Sequence, residues 1–289
     1  MKTIASIMTM YAVTPCHAGS GSSTGVVDLP IQRERHTNWP MIQASGIKGA
    51  MRAHFDRFKE AIKEKPEKEQ FDKLTATIFG TSETGDSGHA GALSVGDARI
   101  LAYPMRSNIA PFVWITCPAV LNRVNRDLSM AGKELLDLSC LDGVSQEKAI
   151  WCSGEFKEGE RILLEDMEVT ATTPADLNAP FLKDAERLMI VDDQVFDYGV
   201  SHCTQIMAQI TIDQKTGTTR DGSLRYQEEL PSDTLMYSVI FWGDSRDDAQ
   251  TVKQEIISRY ITEEVMPDHL QVGGDETLGR GIFSLNWIA

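Results

Sequence analysis

Residues 4–55 read IASIMTMYAVTPCHAGSGSSTGVVDLPIQRERHTNWPMIQASGIKGAMRAHF, and three segments of different character follow one another in it. Ile4, Ile7, Met8, Met10 and Val13 fit a buried strand over residues 4–13. Residues 15–40 then run rich in Gly, Ser and Thr. Gly19, Gly21 and Gly25 interrupt any regular element there, and Pro30 has no amide to donate. Within this stretch only residues 26–29 carry enough apolar character for a short strand. A connection of this length inside a globular chain is a functional loop or a disordered one. Ser45 next offers an N-cap for a helix reaching about residue 65, with Ile47, Met51, His54, Phe55, Phe58 and Ile62 recurring at helical spacing.

Working outward, strands are predicted over residues 71–79 and 98–104, separated by a Gly/Ser/Asp loop at 81–97. A further strand follows at 112–117, then a helix over 118–133 with Val120, Leu121, Val124 and Leu128 on one side. Residues 134–185 read as irregular, apart from a strand at 163–171. Residues 205–213 and 224–230 flank a Lys215-Thr216-Gly217 turn and form a β-hairpin with a long tip. A strong strand at 234–242, an amphipathic helix over 245–265 carrying Val252, Ile256, Ile257 and Ile261, a Gly-rich segment and a last strand at 281–287 complete the chain. Strands and helices joined by long, irregular connections point to α+β architecture rather than a regular βαβ array. The order of elements fits a ferredoxin-like (RRM-like) core with large insertions.

Of the 289 residues, 42% are hydrophobic and 24% charged, ordinary globular usage that predicts a sizeable core and excludes wholesale disorder. No run approaches the roughly 18 apolar residues of a spanning helix. Lys2 followed by residues 4–13 loosely has the shape of a signal peptide. The apolar run is short, carries Ser6 and Thr9, and lacks a small-x-small cleavage site. Cys16, Cys117, Cys140, Cys152 and Cys203 make an odd count without a CxxC pair. That argues against a disulfide framework or a structural zinc site and fits reduced thiols in a cytoplasmic protein. The net charge of -14 argues against nucleic acid when taken alone. Its distribution is uneven, however: residues 1–65 hold nine Lys and Arg against five Asp and Glu, a local +4, which leaves -18 for the remainder. An acidic body with a local basic groove is compatible with that asymmetry, and so is an acidic metabolic enzyme.

Four segments carry candidate chemistry. The loop from His17 to Arg35 combines an imidazole, the carboxylate of Asp28, Gly-rich backbone and the guanidinium groups of Arg33 and Arg35. Ser45, Lys48 and Arg52 open a helix, where backbone amides attract phosphate. Residues 272–281 place Gly273, Gly274, Gly279 and Arg280 in one turn-rich run. Gly274 and Gly279 have phosphate-loop spacing, but Arg280 and Gly281 stand where Lys and Ser/Thr are required, so that reading fails. The hairpin tip adds Lys215, Arg220, Arg225 and Tyr226, with Glu228 and Glu229 near its base.

In their order, His17-Ala-Gly-Ser-Gly, Gly25-Val-Val-Asp28-Leu-Pro-Ile-Gln-Arg-Glu, His36-Thr, Ser45-x-x-Lys48-Gly, Tyr226-Gln-Glu-Glu-Leu-Pro231 and the C-terminal Gly-rich loop resemble the RAMP backbone subunits of the type III-B CRISPR Cmr complex. The resemblance implies one RAMP domain over residues 1–289. Its palm would be built from 1–13, 45–133 and 234–289, with a loop at 14–44, an insertion at 134–204 and a thumb hairpin at 205–231. It further implies a filament of copies that binds guide crRNA, joins other Cmr subunits and cuts paired single-stranded target RNA at regular intervals. By resemblance Asp28 is the catalytic position; the chemistry of a carboxylate there allows it either to hold a divalent metal ion, Mg²⁺ or Mn²⁺, or to accept the 2′-hydroxyl proton. His17 assists, and Glu228 or Glu229 is a supporting carboxylate. Lys48 and Arg52, with Arg33, Arg35, Ser45, Gly273, Gly274, Gly279 and Arg280, form the RNA surface. Alternatives are a guide-binding scaffold without catalysis and an endonuclease that processes the guide precursor.

Overall fold

The computed structural model describes residues 4–60, 65–81, 89–172, 175–246, 251–266 and 268–288. Strand β1 (Ile4–Ala12) lies inside a sheet, pairing antiparallel on one side with β12 (Leu235–Trp242) and on the other with β14 (Ile282–Ile288). Both faces of β1 are covered, which is why its sequence is apolar without polar alternation, and even Ser6 and Thr9 are buried. The edge beyond β14 is β13 (His269–Gln271). On the opposite side β12 pairs with β4 (Ala98–Arg106), and β4 with β5 (Phe112–Thr116). Short strands β2 (Met41–Ile42) and β3 (Leu93–Val95) attach to β4 and β12.

Between β1 and β4 run helices α1 (Ala44–Glu60) and α2 (Lys65–Phe79). Ile47, Met51 and Phe55 of α1 are fully buried, and Phe55 meets Phe79 edge-on at 5.7 Å and Tyr260 at 6.3 Å. The strand predicted over 71–79 is therefore a helix. Thr75 and Thr77 bias the segment towards strand by their β-branching, but Leu74, Ile78 and Phe79 keep a helical period, and packing on α1 decides the outcome. Helix α1 starts one residue before Ser45, so Ser45 is no N-cap. The Ala44 amide instead donates to Oδ1 of Asp97 at 2.7 Å. Residues 61–64 of the predicted helix lie outside the described residues.

Helix α3 (Pro118–Met130) begins with Pro at its first turn and buries Val120, Leu121, Val124 and Leu128, as its spacing predicts. The segment read as irregular is built: β6 (Lys148–Trp151), β7 (Arg161–Leu164), β8 (Met167–Ala171) and β9 (Leu188–Ile190) extend the sheet beyond β5, and α4 (Asp193–His202) follows. The single strand predicted at 163–171 is a tight hairpin of β7 and β8, turning at Glu165 with φ of 52°. Helix α5 (Gln254–Arg259) is shorter than predicted and runs on as a π-type turn over Tyr260–Val265; residues 247–250 lie outside the described residues.

The full strand order is β13-β14-β1-β12-β4-β5-β9-β6-β8-β7. A separate two-stranded ribbon, β10 (Gln205–Gln209) with β11 (Arg225–Glu229), matches the predicted hairpin. Among the described residues no helix is long and apolar enough to cross a membrane, and all five cysteines are free thiols.

Candidate active site

The loop between β1 and β2 does not wander. It lies along the edge of β11 that β10 leaves open. The Leu29 amide donates to the Tyr226 carbonyl at 3.0 Å, and the Glu228 amide donates to the Leu29 carbonyl at 2.9 Å. On the same edge the Tyr226 amide donates to Oδ2 of Asp28 at 2.7 Å, and Nδ1 of His17 donates to the Glu228 carbonyl at 2.7 Å. Asp28 and His17, eleven positions apart in the chain, are thus anchored to strand residues two apart, a spacing of about 7 Å along the backbone. Asp28 is partly exposed, and among the described residues no protein group is seen on its Oδ1.

Several contacts fix this arrangement from below. Cys16 pairs with Leu230, and its thiol donates to the Val272 carbonyl at 3.4 Å. Burial, then the nearby Glu229 carboxylate, pushes the Cys16 thiol up to about 12, so it stays a neutral packing group. The Gly274 amide donates to the His17 carbonyl at 2.9 Å, bringing the C-terminal Gly-rich loop against the imidazole. A Cβ on Gly273, whose φ is 91°, would stand 2.7 Å from that carbonyl oxygen, so only glycine fits there. The loop is tied to β11 by Arg280, which donates from Nε to Glu229 at 3.1 Å, and by Nε2 of Gln227, which donates to Asp275 at 2.5 Å. It is tied to α1 by Arg57 and Glu276 at 2.7 Å.

Three of the expected side chains are engaged with the fold itself. Glu228 is buried, and its carboxylate accepts from Arg33 at 2.5 Å, Thr204 at 2.7 Å and the Ile31 amide at 3.0 Å. Burial raises its pKa, but the bonds from Thr204, Arg33 and Ile31 outweigh it and hold the carboxyl below its ordinary value. Its lone pairs are committed to the fold, and what it offers the site is its backbone carbonyl. Arg33 is committed with it, since its guanidinium also donates to the carbonyls of Asn38 and Val200. Glu229 is 1% exposed and paired with Arg280, while among the described residues no partner is seen on its buried Oε2.

The expected cations of α1 form a second group. Lys48 donates from Nζ to the Leu93 carbonyl at 2.9 Å, and Arg52 to the Gly80 carbonyl at 3.3 Å. Burial, then the charges of Arg52 and Arg246, lowers the Lys48 pKa. Arg246 escaped the sequence reading because only the fold returns the end of β12 to α1: the Gly243 amide donates to the Ala92 carbonyl at 2.9 Å, beside the carbonyl that takes Lys48. Ser45 and Arg35 are exposed, and Gly279 adopts φ of 72° at the end of a short turn. Among the described residues no cluster of three or more His, Cys, Asp or Glu side chains could hold a metal ion.

A family profile described as RAMP superfamily matches residues 9–284. The CRISPR system Cmr endoribonuclease Cmr4 of Pyrococcus furiosus is 36% identical over 284 residues, spanning 94% of this chain and 92% of that protein. The CRISPR system CMR subunit Cmr4 of Saccharolobus solfataricus is 24% identical, spanning 96% and 94%. Crystalline oligomeric Cmr4 from Pyrococcus furiosus superposes with a TM-score of 0.71 at 25% identity, covering 99% of this chain and 98% of that one. A chain of the type III-B Cmr-beta complex, solved by cryo-EM bound to cognate target RNA, superposes at 0.77 with 23% identity, covering 99% and 97%. A profile that runs from within β1 to within β14, together with a relative more than one-third identical along nearly all of both chains, makes this protein a member of the RAMP superfamily.

Proposed function

We propose that the chain is a backbone subunit of a cytoplasmic type III-B CRISPR ribonucleoprotein that binds guide RNA and cuts the complementary target. The carrying observation is that Asp28 and His17 are both anchored on one edge of β11, the Asp28 carboxylate partly open and the imidazole held by one nitrogen. Similarity to a named Cmr endoribonuclease over nearly the whole chain supports the same reading. The strand order β14-β1-β12-β4, with α1 after β1 and α5 before β14, supports a ferredoxin-like palm, and the β10–β11 ribbon is its thumb. Ile206, Ile210, Ile212 and Leu224 are about half exposed on and near that ribbon, an apolar strip suited to contact with the next copy in a filament.

RNA supplies its own nucleophile. The 2′-hydroxyl attacks the adjacent phosphorus, an O2′–P bond forms and the P–O5′ bond breaks. The 2′-hydroxyl proton leaves to a base and a proton returns to the 5′-oxygen, giving a 2′,3′-cyclic phosphate and a 5′-hydroxyl. In-line alignment of these atoms lowers the barrier by several kcal/mol. Lys48 and Arg52, with Arg35, Ser45, Gly273, Gly274, Gly279 and Arg280, face RNA phosphates in this scheme. Asp28 would hold Mg²⁺ or Mn²⁺, and the ion, when bound, would offset charge on the reacting phosphate.

Asp28→Asn tests the reading. In a reconstituted complex with end-labelled target, the variant binds guide and target normally and no longer produces regularly spaced cuts. Cuts that persist remove Asp28 from the reaction. Loss of RNA binding together with cutting makes it a loop-forming residue instead.

A further inference from the structure

We propose that Gly19 is a positioning residue for the cut: its missing side chain keeps Nε2 of His17 open as the base that takes the target 2′-hydroxyl proton. The inference rests on the function proposed above and deepens it at one atom.

The His17 ring has a defined tautomer. Nδ1 faces the Glu228 carbonyl at 2.7 Å, and a carbonyl only accepts, so in the neutral ring the proton sits on Nδ1. Nε2 then carries the free lone pair. A Cβ built on Gly19 would stand 2.7 Å from that nitrogen and 3.4 Å from each of its two ring neighbours, and these are the three nearest atoms it would meet. The space beside Nε2 therefore exists because position 19 has no side chain.

Neither partner can move away freely. Gly19 bridges to Ile31, and its carbonyl accepts from the Gln32 side chain at 3.0 Å. The His17 backbone is fixed by the Gly274 amide, and its ring by Glu228. Gly19 is not among the glycines with positive φ, so alanine is tolerated by the backbone there. Its one conflict is with the imidazole. Gly19→Ala swings the ring off the Glu228 carbonyl or covers Nε2, and in both cases the base is lost while the fold is kept.

The test is a double-mutant cycle in the assembled complex. Single-turnover cutting of end-labelled target is measured for the parent, Gly19→Ala, His17→Ala and the double variant, beside the target Kd of each. The expected result is that Gly19→Ala slows cutting by about the 10²- to 10⁴-fold characteristic of a lost general base, with Kd unchanged, and is silent in the His17→Ala background. Nitrogen-15 NMR of the histidine rings should show His17 protonated on Nδ1 in the parent and altered in Gly19→Ala. Parent-like cutting by either single variant, or an equal slowing by Gly19→Ala with and without His17, overturns the proposal. Should Gly19→Ala fail to assemble, His17→Gly in imidazole buffer decides: restored cutting upholds a base at this position and no restoration overturns it. Asp28→Asn is read separately, so a failure of the wider function and a failure of this assignment give different patterns.

Discussion

Two kinds of acidic group meet at β11: Glu228 and Glu229 belong to the strand itself, and Asp28 to the loop that lies along its open edge. Inside, Glu228 is surrounded by Arg33, Thr204 and the Ile31 amide, and Glu229 is clamped to Arg280. On the outer edge, Asp28 accepts one backbone bond and stays partly open. The inner carboxylates are buried and paired and hold the loop, the ribbon and the Gly-rich turn together. Among the described residues the outer one shows a single partner, the Tyr226 amide. Glu228 and Asp28 serve the same strand and differ in how many groups their carboxylates accept from.

The largest contrast is in cutting. Asp28→Asn should abolish regular cleavage and change stability by no more than about 0.5 kcal/mol, the range of a surface substitution. Glu228→Ala should do the reverse and lose about 3 kcal/mol of stability, because it strands the Arg33 guanidinium within the fold. Urea denaturation of both variants beside a cleavage assay checks the pair, and a stable Glu228→Ala protein would erase the distinction.

A smaller effect concerns acid. The folded pKa of Glu228 lies below the ordinary 4.5, so its ionised form contributes stability that is complete above that value and drains away as pH falls through the lowered one. Stability of the parent should therefore drop more steeply than that of Glu228→Gln below about pH 4.5, read from urea midpoints against pH. Parallel curves would mean that the Arg33 pair adds nothing. The smallest effect belongs to α1, away from this strand. Lys48→Ala should weaken guide binding modestly and flatten its logarithmic salt dependence by about one unit, as loss of one phosphate contact requires. An unchanged slope in filter binding would take Lys48 off the RNA surface.

Much of the fold was legible as periodicity. The continuous apolar run of β1, the helical spacing of α3 and the hairpin of β10 and β11 could be read without coordinates, because each is set by interactions between near neighbours. So was the candidate loop, since His17, Asp28 and the glycines around them sit in one stretch. The misreadings have a common physical origin. Residues 71–79 carry both β-branched residues and a helical apolar period, and the Phe55–Phe79 contact resolves the conflict. Residues 134–204 hide strands of three to five residues, too short to show a period, which exist because they add to an edge begun by β5. Arg33 and Arg52 are equivalent in composition and both half-buried, yet one pairs with the Glu228 carboxylate and the other with the Gly80 carbonyl.

By itself the sequence determined which residue types were available: a glycine-rich loop holding an imidazole and a carboxylate, cations at the start of a helix, and local propensities for most strands and helices. Tertiary structure alone decided which of these groups were left without partners. That depends on contacts across 197 positions for Ile31 and Glu228, 198 for Asp28 and Tyr226 and 211 for His17 and Glu228. No local pattern encodes such distances, because they arise only when β11 is laid against a loop from the opposite end of the chain.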